Sequence, residues 1–501
     1  MSKLVLLSLL VTSSVASWNC LSTGSSAEGN VTPPTTEAVS SNVPKLQATN
    51  VTNLYNTTCG KCHGVNGEGG GGGTKTLLSE DKYDQKHDKP FFEAIKNGVK
   101  DMGMDGYGAT MTDETIWALV VHIRELQGQW IRRTKGSSRA TNGVYSTNRH
   151  NYKVETVIDQ GKGLATPWAI DWLPDGRMIV TNRPGSVMIY DKGELSTIEG
   201  VPTSLEIGQG GMMEVAVHPN YKQNNWIYLA YTEPAASGGR AGLTKIVRGS
   251  LRTEAGRTTW LAQKTIFEAD QKFYTGAGVH FGSRIAFDGK GHVFFVIGER
   301  GGNMKAQELD NPFGKVYRVN EDGGIPSDNP FVNREGAIKA IWSYGHRNPQ
   351  GLVFDREGRL WVTEHAPRGG DEVNEIKKGA NYGWPVICFG INYNDAPFRT
   401  PWPKEGQNFE MPIFRWMPST GACGLDTMKG SAFPNWAGDL MAGGLSGANV
   451  DRIRVSGGKL VEREEILHGM VRVREVATGP DGFLYIALNQ PDKVIRLVPA
   501  K

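Results

Sequence analysis

The sequence predicts a mainly β molecule: a six-bladed β-propeller preceded by a small all-α domain. Three observations carry this. Six segments repeat one pattern, an apolar strand, a tight turn holding Asp, Asn, Pro or Gly, and a second apolar strand, with no convincing helix between copies. Hairpins repeated in this way indicate radial repetition rather than a single sandwich. Glycine is abundant, at 64 residues, as a turn-rich architecture requires. Helical periodicity, finally, is confined to the first quarter of the chain.

In order, the repeats are 169–183, 214–231, 284–300, 351–365, 430–445 and 475–489. Each alternates with period two around a turn such as Pro174-Asp175-Gly176 or Asp355-Arg356-Glu357-Gly358, which reads as a β-hairpin. Residues 493–498 are expected to pair with a strand near 153–158 and so close the ring. Residues 152–501 then form the propeller, 131–151 a polar flexible linker, 44–130 the helical domain and 18–43 a Ser/Thr/Pro-rich disordered tether. Residues 1–17 place Lys3 before an apolar run and small residues, a secretion signal that implies a periplasmic protein.

The net charge of +3 is too close to neutral for a nucleic-acid or basic membrane surface. No apolar run reaches the ~20 residues of a transmembrane helix. Of the five cysteines, Cys388 and Cys423 are either a bridge in an oxidising compartment or two separate buried thiols.

Within the helical domain, Cys59-Gly60-Lys61-Cys62-His63 is the C-x-x-C-H attachment signature of c-type haem. Two thiols at this spacing bond both haem vinyl groups, and the adjacent His becomes an iron ligand. A thioredoxin-like pair lacks its βαβ context here. Half a zinc site lacks partners, because His87 and His122 are poorly spaced. Helices are expected over 46–58, 91–99 and 113–127, the last capped by Thr112 and ended by Gly128.

Polar chemistry concentrates in 341–385, where His346, Arg347, Arg368, Glu364, Asp371, Glu372, Tyr382 and Trp384 lie among glycines and prolines. Such a set, aimed from turns over a sheet, suits a pocket for an anionic, planar ligand.

The segments YGHRNPQGL (344–352), EHAPRGGDEVN (364–374) and NYGWP (381–385) resemble those of the soluble aldose sugar dehydrogenases that use pyrroloquinoline quinone (PQQ). The resemblance extends over about 152–499. It implies a six-bladed propeller that oxidises an aldose at C1 to the lactone. It also implies roles. His280, in VHFGSR, is the general base. Gln209, Arg347, Asn348, Tyr393, Arg472 and Arg474 contact the cofactor. Arg347 in addition stabilises charge on the quinone. The carbonyls of Ala366 and Pro367 hold the cofactor's Ca2+, and Glu372 with the carbonyl of Tyr382 holds a second, structural Ca2+. Two positions depart from the family pattern: Ser446 stands where a lysine is usual, and Val279 where glucose-specific relatives carry Asp.

The first domain resembles class I cytochromes c. That resemblance makes Cys59 and Cys62 the haem c attachment points and His63 an axial ligand. It aligns Met104 as the other axial ligand, with Met102 as competitor and Met111 packed beneath the last helix. The expected partners are an aldose and a downstream electron acceptor such as a cytochrome or oxidase. The alternatives are a PQQ dehydrogenase for another sugar, sorbosone or an alcohol, and a non-catalytic ligand-binding propeller carrying a cytochrome.

Overall fold

A computed structural model describes residues 45–70, 75–136 and 138–500. The expected signal (1–17) and tether (18–43) lie outside these residues.

The helical part opens with Val51–Leu54, continues through a π-turn at Tyr55–Cys59 and ends with Gly60–His63. Asn50 caps it, its side chain accepting from the Asn53 N–H at 2.7 Å. Two further helices follow, Asp88–Asn97 and Asp113–Lys135. Thr112 caps the latter as the sequence indicates, accepting from the Thr115 N–H at 3.2 Å. Gly128 does not end it. A Cβ at Gly128 would lie 2.5 Å from Pro418 Cδ, so this glycine answers a close approach from the propeller. The helix therefore takes 131–135 from the expected linker.

The propeller has six blades of antiparallel strands. The first is Pro167–Trp172, Met178–Asn182, Val187–Asp191 and Glu194–Glu199, and the second Met212–Val217, Ile227–Pro234, Gly242–Glu254 and Arg257–Phe267. Their outer edges join through a short parallel pairing of Ile198 with Thr258. The third is Ile285–Phe287, His292–Ile297, Lys315–Asn320 and Ile341–Tyr344, and the fourth Pro349–Phe354, Leu360–Glu364, Asp371–Ile376 and Phe414–Trp416. Ala422–Thr427, Leu440–Gly444, Asn449–Ser456 and Lys459–His468 form the fifth, and Arg472–Thr478, Leu484–Asn489 and Lys493–Ala500 begin the sixth. The ring closes where Asn151–Ile158 completes the sixth blade, with Lys153 opposite Val498 and Thr156 opposite Ile495.

Five of the six hairpins fall where the repeats lie. In the fifth blade the first strand is Ala422–Thr427, not the residues following Gly430. Phe433 and Trp436 stack with centroids 4.5 Å apart around a single 3-10 turn and fill the blade edge instead of alternating along a strand.

The fourth blade carries a long excursion, 377–413, between its third and fourth strands. Here the helical part docks. Val51, Tyr55, Phe92, Ile95, Trp117 and Val120 share one apolar core with Phe389, Ile391 and Met417, and residues 45–501 form one compact unit. No described helix is long and apolar enough to cross a membrane.

Candidate active site

Antiparallel blades bring entries to first strands and exits from second strands to the same end of the ring. Gln209 and His280 precede first strands, Arg347 and Asn348 lie directly before Pro349, Arg472 opens a first strand, and Ala366 and Pro367 follow a second strand. Their positions in the repeat are why residues far apart in sequence share one mouth.

His280 sits at φ 52°, a left-handed conformation that only surrounding structure can impose on a non-glycine residue. Its backbone N–H donates to Gln209 Oε1 at 2.8 Å. Close approach forces glycine at two neighbours: a Cβ at Gly208 would lie 2.1 Å from the Gly278 carbonyl oxygen, and one at Gly298 2.3 Å from that of His280. The imidazole Nδ1 is hydrogen-bonded to the carboxylate of Glu299, which is fully buried at the exit of the neighbouring strand. Arg300 staples the same loop. Its guanidinium donates to the carbonyls of Val279 and Gly242, each at 3.0 Å, and to that of Ala277, and lies 3.6 Å from the Phe281 ring centroid.

Burial pushes the His280 pKa below the ordinary imidazole value, the Glu299 hydrogen bond opposes this, and the charge of Arg347 adds to the lowering. The net result is a neutral ring. With Nδ1 committed to Glu299, Nε2 is the basic nitrogen.

Next to it, Arg347 is buried. Its backbone N–H donates to Glu364, and Nη1 donates to the carbonyls of His365 and Ala366 at 3.0 and 2.9 Å. Nε has no partner among the described residues. Arg474 lies 4.1 Å from the Trp168 ring centroid and donates to Gln350 Oε1 at 3.3 Å and Cys423 Sγ at 3.4 Å. Asn348 Oδ1 accepts from the Gly282 N–H at 3.3 Å and from Gln350 Nε2 at 3.2 Å. Arg472 is exposed and Arg474 buried, with a bulge in the pairing between Val473 and Glu475.

His365 lies against Arg347, its carbonyl accepting from Nη1 at 3.0 Å. Burial first, then Arg347, Arg474, His280 and Arg472, hold its pKa well below the ordinary value. Its Nε2 is buried without a partner among the described residues. A buried neutral imidazole in the field of Arg347, Arg474 and Arg472 is a setting that an anionic ligand suits.

Glu372 lies opposite Glu364 in the strand pairing. Burial, and then Glu364, push its pKa up to about 8. A small enclosed cavity beside them is lined by Arg347, His365, Ala366, Tyr382, Trp384 and Cys388. The carbonyls of Pro367 and Tyr382 accept no hydrogen bond among the described residues. Nor do the described residues group three His, Cys, Asp or Glu side chains as a metal cage. His346 is structural: its nitrogens meet Glu364 and Ser343, each at 2.9 Å, and its ring stacks on Tyr382 at 4.5 Å.

One expected residue falls outside this group. Tyr393 is 72 % exposed, on the turn where Asp395 N–H bonds the Asn392 carbonyl, and among the described residues no hydrogen bond or ring contact ties it to the charged mouth. Ser446 is exposed and uncharged, its N–H held by the Thr420 carbonyl at 2.9 Å. Cys388 and Cys423 are separate buried thiols. Sequence reasoning overlooked Glu299, Arg300, His365 and Gln350. The signal for Glu299 was present: a carboxylate closing the apolar strand His292–Ile297 needs a partner.

In the helical part, Cys59 is half-buried, Cys62 exposed and His63 at the helix end, where Gly64 takes φ 75°. His63 Nδ1 is buried without a partner among the described residues. Met104 is half-buried in the same apolar cluster as Cys59. Met102 is 70 % exposed, whereas Met111 is 4 % exposed beneath the last helix.

With this geometry in hand, residues 164–496 match the family described as glucose / sorbosone dehydrogenase, and the chain belongs to that family. Residues 46–123 match the family described as cytochrome c oxidase, cbb3-type, subunit III, and the helical part is a cytochrome c domain. Aldose sugar dehydrogenase YliI of Escherichia coli (strain K12) is 40 % identical over 344 residues, covering 67 % of this chain and 90 % of the relative. The solved apo form of the soluble aldose sugar dehydrogenase from Escherichia coli matches with TM-score 0.63 and 36 % identity, over 70 % of this chain and all of the other. A PQQ-bound aldose sugar dehydrogenase from Streptomyces coelicolor matches with TM-score 0.55 and 25 % identity, over 70 % and 98 %. The chain is thus an oxidoreductase of the sugar dehydrogenase class joined to a cytochrome domain.

Proposed function

We propose that the chain is a periplasmic quinoprotein that oxidises an aldose at C1 to the lactone with PQQ and Ca2+, and passes the electrons to haem c in its own first domain. The observation that carries this reading is the buried Arg347, held on the His365 and Ala366 carbonyls at 3.0 and 2.9 Å with its Nε and the His365 Nε2 unpartnered among the described residues, at the mouth where Gln209 meets His280. A planar tricarboxylate fits such a mouth, because each guanidinium offers paired donors to a carboxylate.

When bound, PQQ supplies an electrophilic quinone that takes the hydride from C1. The protein supplies the rest. His280 Nε2 accepts the C1 hydroxyl proton, and Glu299 stabilises the imidazolium that results. Arg347 is fixed by the His365 and Ala366 carbonyls and presents positive charge without reorganising. The Pro367 carbonyl, free of hydrogen bonds among the described residues, would hold Ca2+ at the cofactor with that of Ala366, whose oxygen would then be shared with Arg347 Nη1. Glu372 with the carbonyl of Tyr382 would hold the second ion. Oxygen donors around a paired buried carboxylate suit that hard cation. Cys59 and Cys62 would bond haem, with His63 and Met104 on the iron.

A variant reading, another sugar, sorbosone or an alcohol, draws on Val279, whose 37 % exposed apolar side chain adjoins the base. The test is to load haem-bearing protein with PQQ and Ca2+ and screen sugars, sorbosone and alcohols while following the haem spectrum. Sugar-driven haem reduction that vanishes in His280→Ala is expected. Absence of turnover with every substrate would leave a binding propeller.

A further inference from the structure

The polar linker suggests a cytochrome domain that swings. The interface argues otherwise, and we propose that the domain works from one fixed pose, with Arg368 as its lock. This rests on the reading that the two domains exchange electrons.

Arg368 lies two residues beyond Ala366, whose carbonyl Arg347 holds at the mouth. Its Nε and Nη2 donate to Glu125 Oε1 and Oε2 at 2.8 and 2.7 Å, a two-pronged pair with the helix Asp113–Lys135. Nη1 donates to Asp395 Oδ1 at 2.8 Å. Asp395 in turn accepts the N–H groups of Val51, at its carbonyl, and Thr52, at Oδ2, both at 2.9 Å. Val51 and Thr52 open the helical run that ends in Cys59, Cys62 and His63. A short stretch of backbone and two charge pairs therefore connect the mouth of the propeller to the haem-motif helix.

The remainder of the interface is part polar and part apolar: Asp88 pairs with Arg415, Gln85 Nε2 donates to the Ile413 carbonyl at 3.2 Å, and an open cavity lies between residues 83–88 and 413–417. Trp117 Nε1 donates to the Phe389 carbonyl at 3.2 Å, and Tyr83 donates its hydroxyl to the Met417 carbonyl at 2.7 Å. Trp402 packs edge-on against Phe92 at 4.6 Å and Trp117 at 5.2 Å. Domain motion is the default where interfaces are small and polar. A shared apolar core clamped by the bidentate Arg368–Glu125 pair and by the buried Asp88–Arg415 pair reverses that expectation. Oxidation of one aldose releases two electrons and two protons, while one haem takes a single electron. Two transfers through the same pose are thus required per sugar, with an external one-electron acceptor discharging the haem between them.

The experiment uses full-length, haem-bearing protein. Arg368→Glu would place a third carboxylate beside Glu125 and Asp395, and Glu125→Gln is a milder second variant. Small-angle X-ray scattering should show Arg368→Glu expanded and wild type compact, with or without PQQ. Sugar-driven haem reduction should be first-order and independent of viscosity in wild type. It should fall at least tenfold in Arg368→Glu and less in Glu125→Gln, while in Glu125→Gln, whose change lies wholly on the cytochrome side, oxidation coupled to a small dye that bypasses haem keeps the wild-type rate. Three results would overturn the proposal: wild-type haem reduction slowing with viscosity, an expanded Arg368→Glu that reduces haem at the wild-type rate, or an Arg368→Glu that stays compact. Loss of dye-coupled turnover in the wild type would instead defeat the quinoprotein reading and leave the scattering result standing.

Discussion

At the residue scale, the proposed base His280 and its carboxylate partner Glu299 are expected to set the pH behaviour. A general base must be neutral to act, so the rate rises with pH through the pKa of His280. Burial, assisted by Arg347, moves that pKa below the ordinary value of 6.5 despite Glu299. Turnover with a dye acceptor should therefore hold its plateau below pH 6.5 and fall only at lower pH. Glu299→Gln removes an influence that raises the pKa, so the acidic limb should move lower still. The plateau should drop roughly a hundred-fold, within the range for a misoriented base. A limb that moves upward instead would show that Glu299 does not govern the ring. A second expectation concerns the iron: Met104→Ala should abolish the Met-ligation band of the oxidised haem spectrum and Met102→Ala should not, since Met102 is 70 % exposed. His280, Gln209 and Arg347 could be named as candidates from the sequence because each sits in a local motif. Glu299 and His365 were not, because their partners arrive from other turns of the chain only when the ring has formed.

At the scale of elements, the hairpins were readable from period-two alternation and turn chemistry, which are local. The fifth failed because Phe433 and Trp436 look like strand residues while their rings pack around a 3-10 turn. The closing helix was misjudged at Gly128 for a similar reason: a glycine required by Pro418 and one that ends a helix are the same letter. That helix depends on a buried ion pair. Asp88 meets Arg124 and Arg415, and the Arg124 and Asp88 side chains are 2 % and 5 % exposed. Removing the carboxylate leaves two guanidiniums uncompensated, which costs about 3–5 kcal/mol. Asp88→Ala should lower stability by that amount in urea titrations. Asp88→Glu, which keeps the charge, should lose less. Equal losses for both would assign the cost to packing rather than charge.

For the whole molecule, length and repeats indicated two domains, and the seam between them is where the sequence was silent. Phe389, Ile391 and Met417 read as ordinary apolar residues of a loop, yet they complete the core around Trp117. Neither part can expose that core cheaply: burying an indole of roughly 200 Å2 contributes about 5 kcal/mol. The ring adds a second constraint. Asn151–Ile158 and Lys493–Ala500 pair across the closure, so the sixth blade exists only when both ends of the propeller are in place. Stability is therefore shared over residues 45–501. Heat or denaturant should unfold the propeller, followed by far-ultraviolet dichroism, and the cytochrome domain, followed by the haem Soret band, at one midpoint, as coincident probes of a cooperative unit. Phe389→Ala should separate the two transitions, because it opens the shared core while leaving every blade hairpin and the ring closure intact. Two well-separated midpoints in the wild type would show that each domain supports itself and that the seam contributes little.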